Sequence, residues 1–318
     1  MATENLNRMT LPQTAPAPDI SIVIPCYNAR EHLETCLSSV ADQQTGYRYE
    51  VIIVDSSEED VTPFIRERFP WVRTVRLPQR AYPGVARNAG ILNASGRIIG
   101  FTDTDCRLDS RWLQVLGDAV SDGKPVVTGA VLNGTADSYI GTADYLIEMT
   151  TFHPSRKSGP IEHIITANVA FERKVVDHIG LLDDTIKGSD RMYAYRMVQH
   201  GIPIWFEAEM KVYHKNRTRL KKIFCNQYDC GFGAANVRRW AKVSGSILAR
   251  CPWLAVGIPI ARTFFIARRL ASGGIRPLLS FVRHYPVIFL GLLAYTAGYL
   301  ANAFPKKHSQ LETIHDQT

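Results

Sequence analysis

Short β-branched runs alternate with stretches of helical period through the first two hundred residues of the chain. Ile20-Ser21-Ile22-Val23-Ile24 is a mostly apolar run closed by Pro25, and Val51-Ile52-Ile53-Val54 is a second that ends at Asp55. Continuous runs of this kind are those of strands covered on both faces. Residues 30–43 place Leu33, Leu37, Val40 and Ala41 at helical spacing, with Gly46 beyond the end. Val72 to Leu77 offers a third strand, and residues 83–95 a helix with Pro83 near its start and Gly96 just past its end. Ile98-Ile99-Gly100-Phe101 is a further strand that runs directly into Thr102-Asp103-Thr104-Asp105. Strands are also expected at 125–131, 168–171, 202–206 and 211–214, with a helix at 191–200 closed by Gly201. Residues 132–165 hold no clear period and read as loops and short helices. The alternation predicts an α/β fold over residues 19–216, Rossmann-like, with a mainly parallel sheet and helices on both faces.

Charge separates the rest of the chain from this domain. The net charge is +7, but Lys215 to Arg283 holds 14 Lys or Arg against one acid, Asp229, which leaves the remainder near −6. A segment so basic needs an anionic partner, either nucleic acid or anionic lipid. The uncharged run that follows it, Tyr285 to Phe304, is 20 residues long. As a helix that run reaches roughly 30 Å, the thickness of a bilayer core. A basic collar beside it favours lipid over nucleic acid. The chain therefore divides into a loose tail (1–18), the α/β domain, a basic amphipathic helical region (217–284), a transmembrane helix (285–304) and a polar tail (305–318). The plainer alternative for 285–304 is a core helix in which Gly291 and Gly298 serve packing. Trp253 to Ala267, with Arg262 and two nearby prolines, reads as interfacial, although a two-span hairpin is an alternative. Arg268, Arg269, Arg276 and Arg283 before the apolar run outnumber Lys306 and Lys307 after it, which favours a cytoplasmic N-terminal side. Six scattered cysteines without CxxC spacing argue against a disulfide framework and for a reducing compartment. No secretory signal is visible at the N-terminus.

Asp103-Thr104-Asp105 at the end of an apolar strand is the strongest local chemical signal. Ligands of open parallel sheets bind beyond the carboxyl ends of the strands. Two carboxylates one residue apart in such a cleft repel each other, and Mg²⁺ or Mn²⁺ relieves the repulsion while bridging phosphates. Asp55 also ends a strand. It suits hydrogen bonds from a nucleobase imide or a ribose hydroxyl, or equally a helix cap made with Ser56 and Ser57. The first strand leads into Pro25-Cys26-Tyr27-Asn28 instead of a glycine-rich turn, so neither a dinucleotide fingerprint nor a P-loop is present there.

These pieces, in their order, resemble family 2 glycosyltransferases. Ser21 to Asn28 is similar to the family's opening strand, and Val54-Asp55-Ser56-Ser57 with Asp60 to its second. Pro83-Gly84-Val85-Ala86-Arg87-Asn88-Ala89-Gly90, Ala94-Ser95-Gly96 and Phe101 to Asp105 resemble its most recognisable block. Gly180 to Asp183, Gly188-Ser189-Asp190, Arg196, Gly201 and His214 follow its acceptor half. The resemblance implies a GT-A fold and inverting sugar transfer from a nucleoside diphosphate sugar, a UDP-sugar by default. It implies that Pro25, Tyr27 and Asp55 line the nucleoside pocket and that Arg87 and Asp103 attend the nucleotide sugar. Asp105, Asp103 and His214 would hold Mg²⁺ or Mn²⁺, with a structural role as the alternative for His214. Asp190 would be the catalytic base; a first-turn acid that merely complements the helix dipole is its alternative. Ser189 stands where the family commonly has Glu, and Ser56 where a second Asp is frequent, which bears on the acceptor more than on the reaction. Asn236-Val237-Arg238-Arg239-Trp240 is similar to the Q-x-x-R-W of processive synthases, but an interfacial helix is the favoured reading.

The expected function is thus metal-dependent transfer to a hydroxyl of a lipid-linked or cell-envelope saccharide, at the cytoplasmic face of a membrane. Partners would be the donor, the acceptor and membrane lipid, with no nucleic acid. The rivals are a nucleotidyltransferase, which needs a glycine-rich basic loop after the first strand, and a non-catalytic sugar-nucleotide binding module.

Overall fold

The computed structural model describes residues 17–183, 187–243 and 245–304; most of the tail expected at 1–18 and all of that at 305–318, with Lys306 and Lys307, lie outside the described residues. Strands β1 (Ile20–Cys26), β2 (Tyr49–Asp55), β3 (Arg73–Arg76) and β4 (Ile98–Thr102) pair in parallel. They alternate with α1 (Arg30–Ala41), α2 (Thr62–Arg68) and α3 (Pro83–Asn93). The apolar runs of β1, β2 and β4 are buried because helices cover both sides of the sheet. Leu33, Cys36, Leu37 and Val40 of α1 enter one core, whereas Ala86 and Ile91 of α3 enter the other.

The second half of the sheet is mixed. β5 (Cys106–Leu108), α4 (Trp112–Ser121), β6 (Val126–Asn133), α5 (Tyr139–Glu148), β7 (Gly159–Ile161), β8 (Asn168–Glu172), α6 (Arg173–Ile179), α7 (Ser189–Gln199) and β9 (Ile204–His214) follow in order. β8 is antiparallel to both β4 and β6, β9 is parallel to β6, and β5 and β7 run antiparallel to β9. The strand order is β3-β2-β1-β4-β8-β6-β9-β5, with β7 also on β9. Two strands expected at 202–206 and 211–214 are one bulged strand. Gly129 pairs with Glu207 but Ala130 with Lys211, so residues 208–210 bulge out of register. A Cβ on Gly129 would lie 2.1 Å from the Met210 carbonyl oxygen, and the bulge therefore needs glycine opposite it. The buried Asn168 amide holds the bulge, donating to Ala130 O at 2.9 Å and Met210 O at 2.8 Å while accepting from Trp112 Nε1 at 2.8 Å.

Glu50 at the foot of β2 joins three segments. Its Oε1 accepts from Ser21 Oγ (2.6 Å), Ser95 Oγ (2.6 Å) and Ser95 N (2.7 Å). Partial burial raises its pKa, but these bonds outweigh burial and leave it below the usual glutamate value. A depressed folded-state pKa contributes stability that is complete above the unfolded value of about 4.3 and is lost as pH falls through the folded value. Glu50→Gln is expected to cost about 1 kcal/mol at pH 7. The difference in urea midpoint from wild type should shrink below pH 4; an unchanged difference at pH 3 would refute this role.

The C-terminal region continues as α8 (Leu220–Trp240), α9 (Ile247–Arg250), a 3₁₀ segment (Pro252–Gly257), α10 (Ile258–Ala271) and α11 (Ile275–Ala303). The apolar run at 285–304 lies within α11, which packs along α8 and against α5. A Cβ on Gly231 would meet Tyr295 O at 1.9 Å, and one on Gly298 would meet Tyr228 O at the same distance. The two glycines set the close approach of α8 and α11. Gly291 faces Ile147 of α5 in the same way. The opposite side leaves Trp253, Val256, Ile260, Phe264, Phe265, Leu279, Val282, Leu290 and Leu293 exposed.

Candidate active site

Because β1, β2, β4, β6 and β9 share one direction, their carboxyl ends lie at one edge of the sheet. That edge collects Cys26, Asp55, Asp103, Asn133 and His214. At its β1–β2 side two loops are knitted together. Asn28, with φ 48°, donates its N–H to Ser57 Oγ at 2.8 Å and accepts from Glu58 N at 3.0 Å. Tyr27 is half-buried beside Pro25, bonds Glu58 through its hydroxyl at 3.2 Å, and carries the Arg80 guanidinium 4.7 Å above its ring. Asp55 is wholly buried. Its Oδ1 accepts Ser57 N at 2.9 Å, and its Oδ2 accepts Val61 N at 3.3 Å and Arg76 Nη1 at 2.5 Å. In this arrangement Asp55 fixes Arg76 and the 55–61 loop, and it has no open surface of its own. Arg76 and Arg80 were not singled out from the sequence; arginines just before Pro83 are ordinary surface residues until the fold sets them over Tyr27 and Asp55.

Arg87 lies in the first half of α3, almost entirely buried, and its Nη2 pairs with Asp103 Oδ1 at 2.6 Å. Its Nε is buried with no acceptor among the described residues. The next residue, Asn88, clamps Leu182 through both its oxygen (3.0 Å) and its nitrogen (2.9 Å). One turn of α3 thus ties the Asp103 loop to the segment that leads toward Asp190.

Register brings Asp105 to His214. Cys106 pairs with His214 across β5 and β9, Lys215 N bonds Asp105 O at 2.9 Å, and His214 Nε2 stands 3.6 Å from Asp105 Oδ1. The histidine tautomer follows from its neighbour. Asn216 Nδ2 donates to Asn133 Oδ1 (2.9 Å), Thr135 Oγ1 (2.9 Å) and His214 O (3.1 Å), so Asn216 Oδ1 faces His214 Nδ1 at 3.0 Å. Asn216 Oδ1 can only accept, so Nδ1 donates in that contact, and in the neutral imidazole Nε2 presents its lone pair toward a carboxylate oxygen. Two electron-rich atoms so placed call for a cation or proton between them. Cys106 Sγ also lies within 4.8 Å. Burial first, then the charges of Asp105 and Asp103, push that thiol's pKa well above 9. A protonated sulfur is no partner for a hard cation, so the fitting donors are oxygen and imidazole nitrogen.

Asp190 occupies the first turn of α7, half-buried, with Oδ1 accepting Arg191 N at 2.8 Å. Among the described residues no hydrogen bond joins it to Asp103 or Asp105. α7 leads into the amino end of β9, so its first turn is the helix end nearer the carboxyl edge of the sheet. A hollow of about 600 Å³ between α1 and β5, lined by Glu34, Asp42, Arg107 and Asp109, shares no residue with this site.

Mixed α/β architecture with these groups at one edge defines a GT-A transferase. The chain superposes on the mannosyltransferase PcManGT from Pyrobaculum calidifontis, solved with GDP-Man and Mn2+, at a TM-score of 0.59 and 17% identity over 90% of this chain and 88% of that one. It also superposes on GalNAc-T7 with UDP, GalNAc and Mn2+, at a TM-score of 0.52 and 18% identity over 64% of this chain and 45% of that one. The chain belongs to glycosyl transferase family 2, whose model matches residues 21–180, and it is a glycosyltransferase. It is 25% identical over 296 residues to the glycosyltransferase AglE of Haloferax volcanii, covering 91% of this chain and 97% of AglE. It is 32% identical over 114 residues to the minor teichoic acid biosynthesis protein GgaA of Bacillus subtilis, covering 33% of this chain and 26% of GgaA. Family membership sets aside the nucleotidyltransferase and non-catalytic readings.

Proposed function

We propose that the chain transfers a sugar, with inversion, from a nucleoside diphosphate sugar to a hydroxyl of a lipid-linked or cell-envelope saccharide. The observation that carries this reading is the facing pair of Asp105 Oδ1 and His214 Nε2, whose tautomer is locked by Asn216. Asp105 and His214 would hold a divalent cation, with Asp103 beside it, and an imidazole ligand suits Mn²⁺ better than Mg²⁺. When bound, that cation neutralises the charge developing on the departing diphosphate. Pro25 and Tyr27 bound the nucleoside pocket, Asp55 keeps its loop and Arg76 in place, and Arg87 orients Asp103 while keeping one N–H for the nucleotide sugar. Asp190 takes the proton of the acceptor hydroxyl as its oxygen bonds the anomeric carbon from the face opposite the breaking bond to diphosphate.

Residues 217–304 would seat the enzyme on a membrane, on the cytoplasmic side where the donor is found. The exposed Trp253, Val256, Ile260, Phe264 and Phe265 form an apolar face within a strongly basic segment, the pattern of an interfacial helix. The packed side of α11 is consistent with a helix held at that surface by the protein. A screen of UDP-, GDP- and dTDP-sugars with Mn²⁺, reading nucleoside diphosphate release, tests the proposal. One donor class, UDP-sugars by default, should give release that chelation abolishes; no release from any donor under these conditions would end it.

A further inference from the structure

Five arginines from four separate segments converge where the α/β domain meets the C-terminal helices: Arg156 from the turn before β7, Arg191 from α7, Arg238 from α8, and Arg262 and Arg269 from α10. The Arg262 guanidinium stacks on the ring of the buried Tyr295 of α11 at 4.3 Å, and Arg191 and Arg238 lie near the same side chain. Among the described residues, none of the five forms an ion pair with a carboxylate. Arg156 Nε, Arg238 Nε and Arg262 Nη1 are moreover buried with no acceptor. The bonds these side chains do make are long ones to backbone carbonyls, such as Arg262 Nη2 to Ile147 O at 3.4 Å and Arg156 Nη2 to Pro160 O at 3.4 Å.

A protein rarely leaves several buried guanidinium nitrogens without partners, because each costs its full desolvation. Among the described acids, Asp190 offsets part of the charge of Arg191, Glu162 lies beside His163, and Glu148 is engaged by Gln227 and Asn226. The crowding is evident in the neighbours: burial first, then Arg156, Arg262 and Arg191, lower the pKa of Arg269. Burial, then Arg191 and Arg269, likewise lower that of His163. Arg191, His163 and Arg269 are exposed, so one side of this cluster faces solvent.

We propose that these side chains bound a recess that binds the phosphate or diphosphate of an amphiphilic acceptor, with Arg156, Arg191, Arg262 and Arg269 as its ligands. The amphiphile is indicated by the recess wall itself. The helix that supplies Arg262 and Arg269 exposes Ile260, Phe264 and Phe265, so a lipid chain finds an apolar track beside the charged group it carries. Guanidinium groups on several elements suit the several oxygens of a diphosphate. The inference rests on the proposed transferase reading for its acceptor role, and it sets Asp190, next to Arg191 in sequence, beside the phosphorylated end of that acceptor.

Binding of farnesyl diphosphate to the full chain in neutral detergent with chelator, against farnesol and inorganic pyrophosphate, tests it. Wild type should bind farnesyl diphosphate at least tenfold more tightly than farnesol, with pyrophosphate between them. Arg156→Gln with Arg262→Gln should weaken the farnesyl diphosphate complex at least tenfold and leave UDP affinity with Mn²⁺ as in wild type, while lysine at both positions restores most of the loss. Thermal unfolding guards against misfolding: farnesyl diphosphate should raise the wild-type midpoint, and the exposed Arg269→Gln variant should reduce that rise. Equal affinity for farnesyl diphosphate and farnesol, or glutamine variants that bind as wild type, would overturn the proposal. So would an equal loss of binding to phosphatidylglycerol vesicles, which would make the recess a contact for bulk lipid headgroups. A chain that binds farnesyl diphosphate as stated yet releases nucleoside diphosphate from no donor would instead refute the proposed function and keep the anion site.

Discussion

Asp105→Ala is expected to reduce cation-dependent turnover by about a thousandfold or more, the loss that follows when several kcal/mol of charge stabilisation disappear. Asp105 has one carboxylate oxygen 3.6 Å from the lone pair of His214 and a backbone oxygen fixed by Lys215 N. Removing the side chain leaves His214 as a lone neutral donor, too little to hold a hard cation. Affinity for nucleoside diphosphate should fall steeply in Mn²⁺ but stay unchanged in chelator, because the proposed nucleoside pocket around Tyr27 and Asp55 is untouched. Unfolding should be unaffected, since Asp105 is partly exposed and makes no ion pair with Lys or Arg. Titration calorimetry of Mn²⁺ and of nucleotide, with initial rates, separates these effects. A variant that still turns over at the wild-type rate and still binds Mn²⁺ would show that the cation, if any, is held elsewhere.

Asp190→Asn should lower turnover by about 10²–10⁴-fold, the usual contribution of a positioned base. The amide is isosteric, and its oxygen still accepts the Arg191 N–H that Asp190 accepts at 2.8 Å. The first turn of α7 is therefore retained, and nucleotide affinity should stay within twofold. Loss in kcat and kcat/KM together, with donor KM unchanged, is the pattern of an interaction made only in the transition state. A variant with wild-type turnover would return Asp190 to the plainer part of a first-turn acid facing the helix dipole.

Much of this architecture was legible in the chain because its strands in the first half are apolar throughout. β1, β2 and β4 announce themselves as doubly covered, and Asp55 and Asp103 to Asp105 follow from where those runs stop. β5 and β7 were not foreseen: at three residues each they hold no period, and only pairing with β9 makes them strands. The bulge in β9 was invisible for a related reason, since its cause is Gly129 on another strand and the Asn168 amide beneath it. Asp103, Asp105 and His214 could be singled out by type and position. The orientation of the imidazole could not, because it depends on a polar network of Asn133, Thr135 and Asn216 assembled from two strand ends. A histidine two residues before an asparagine at the end of a strand was the available clue. The arginine recess was beyond the sequence altogether; its members are spread over more than a hundred positions.

The glycine crossing of α8 and α11 has a bearing on reach. With backbone touching backbone at Gly231 and Gly298, the pair behaves as one strut with no give at the join. If that strut seats the enzyme on a membrane as proposed, the catalytic head would work at a single standing height above it. Substrates of the wrong stem length would then be refused by altitude alone, before any pocket inspects them.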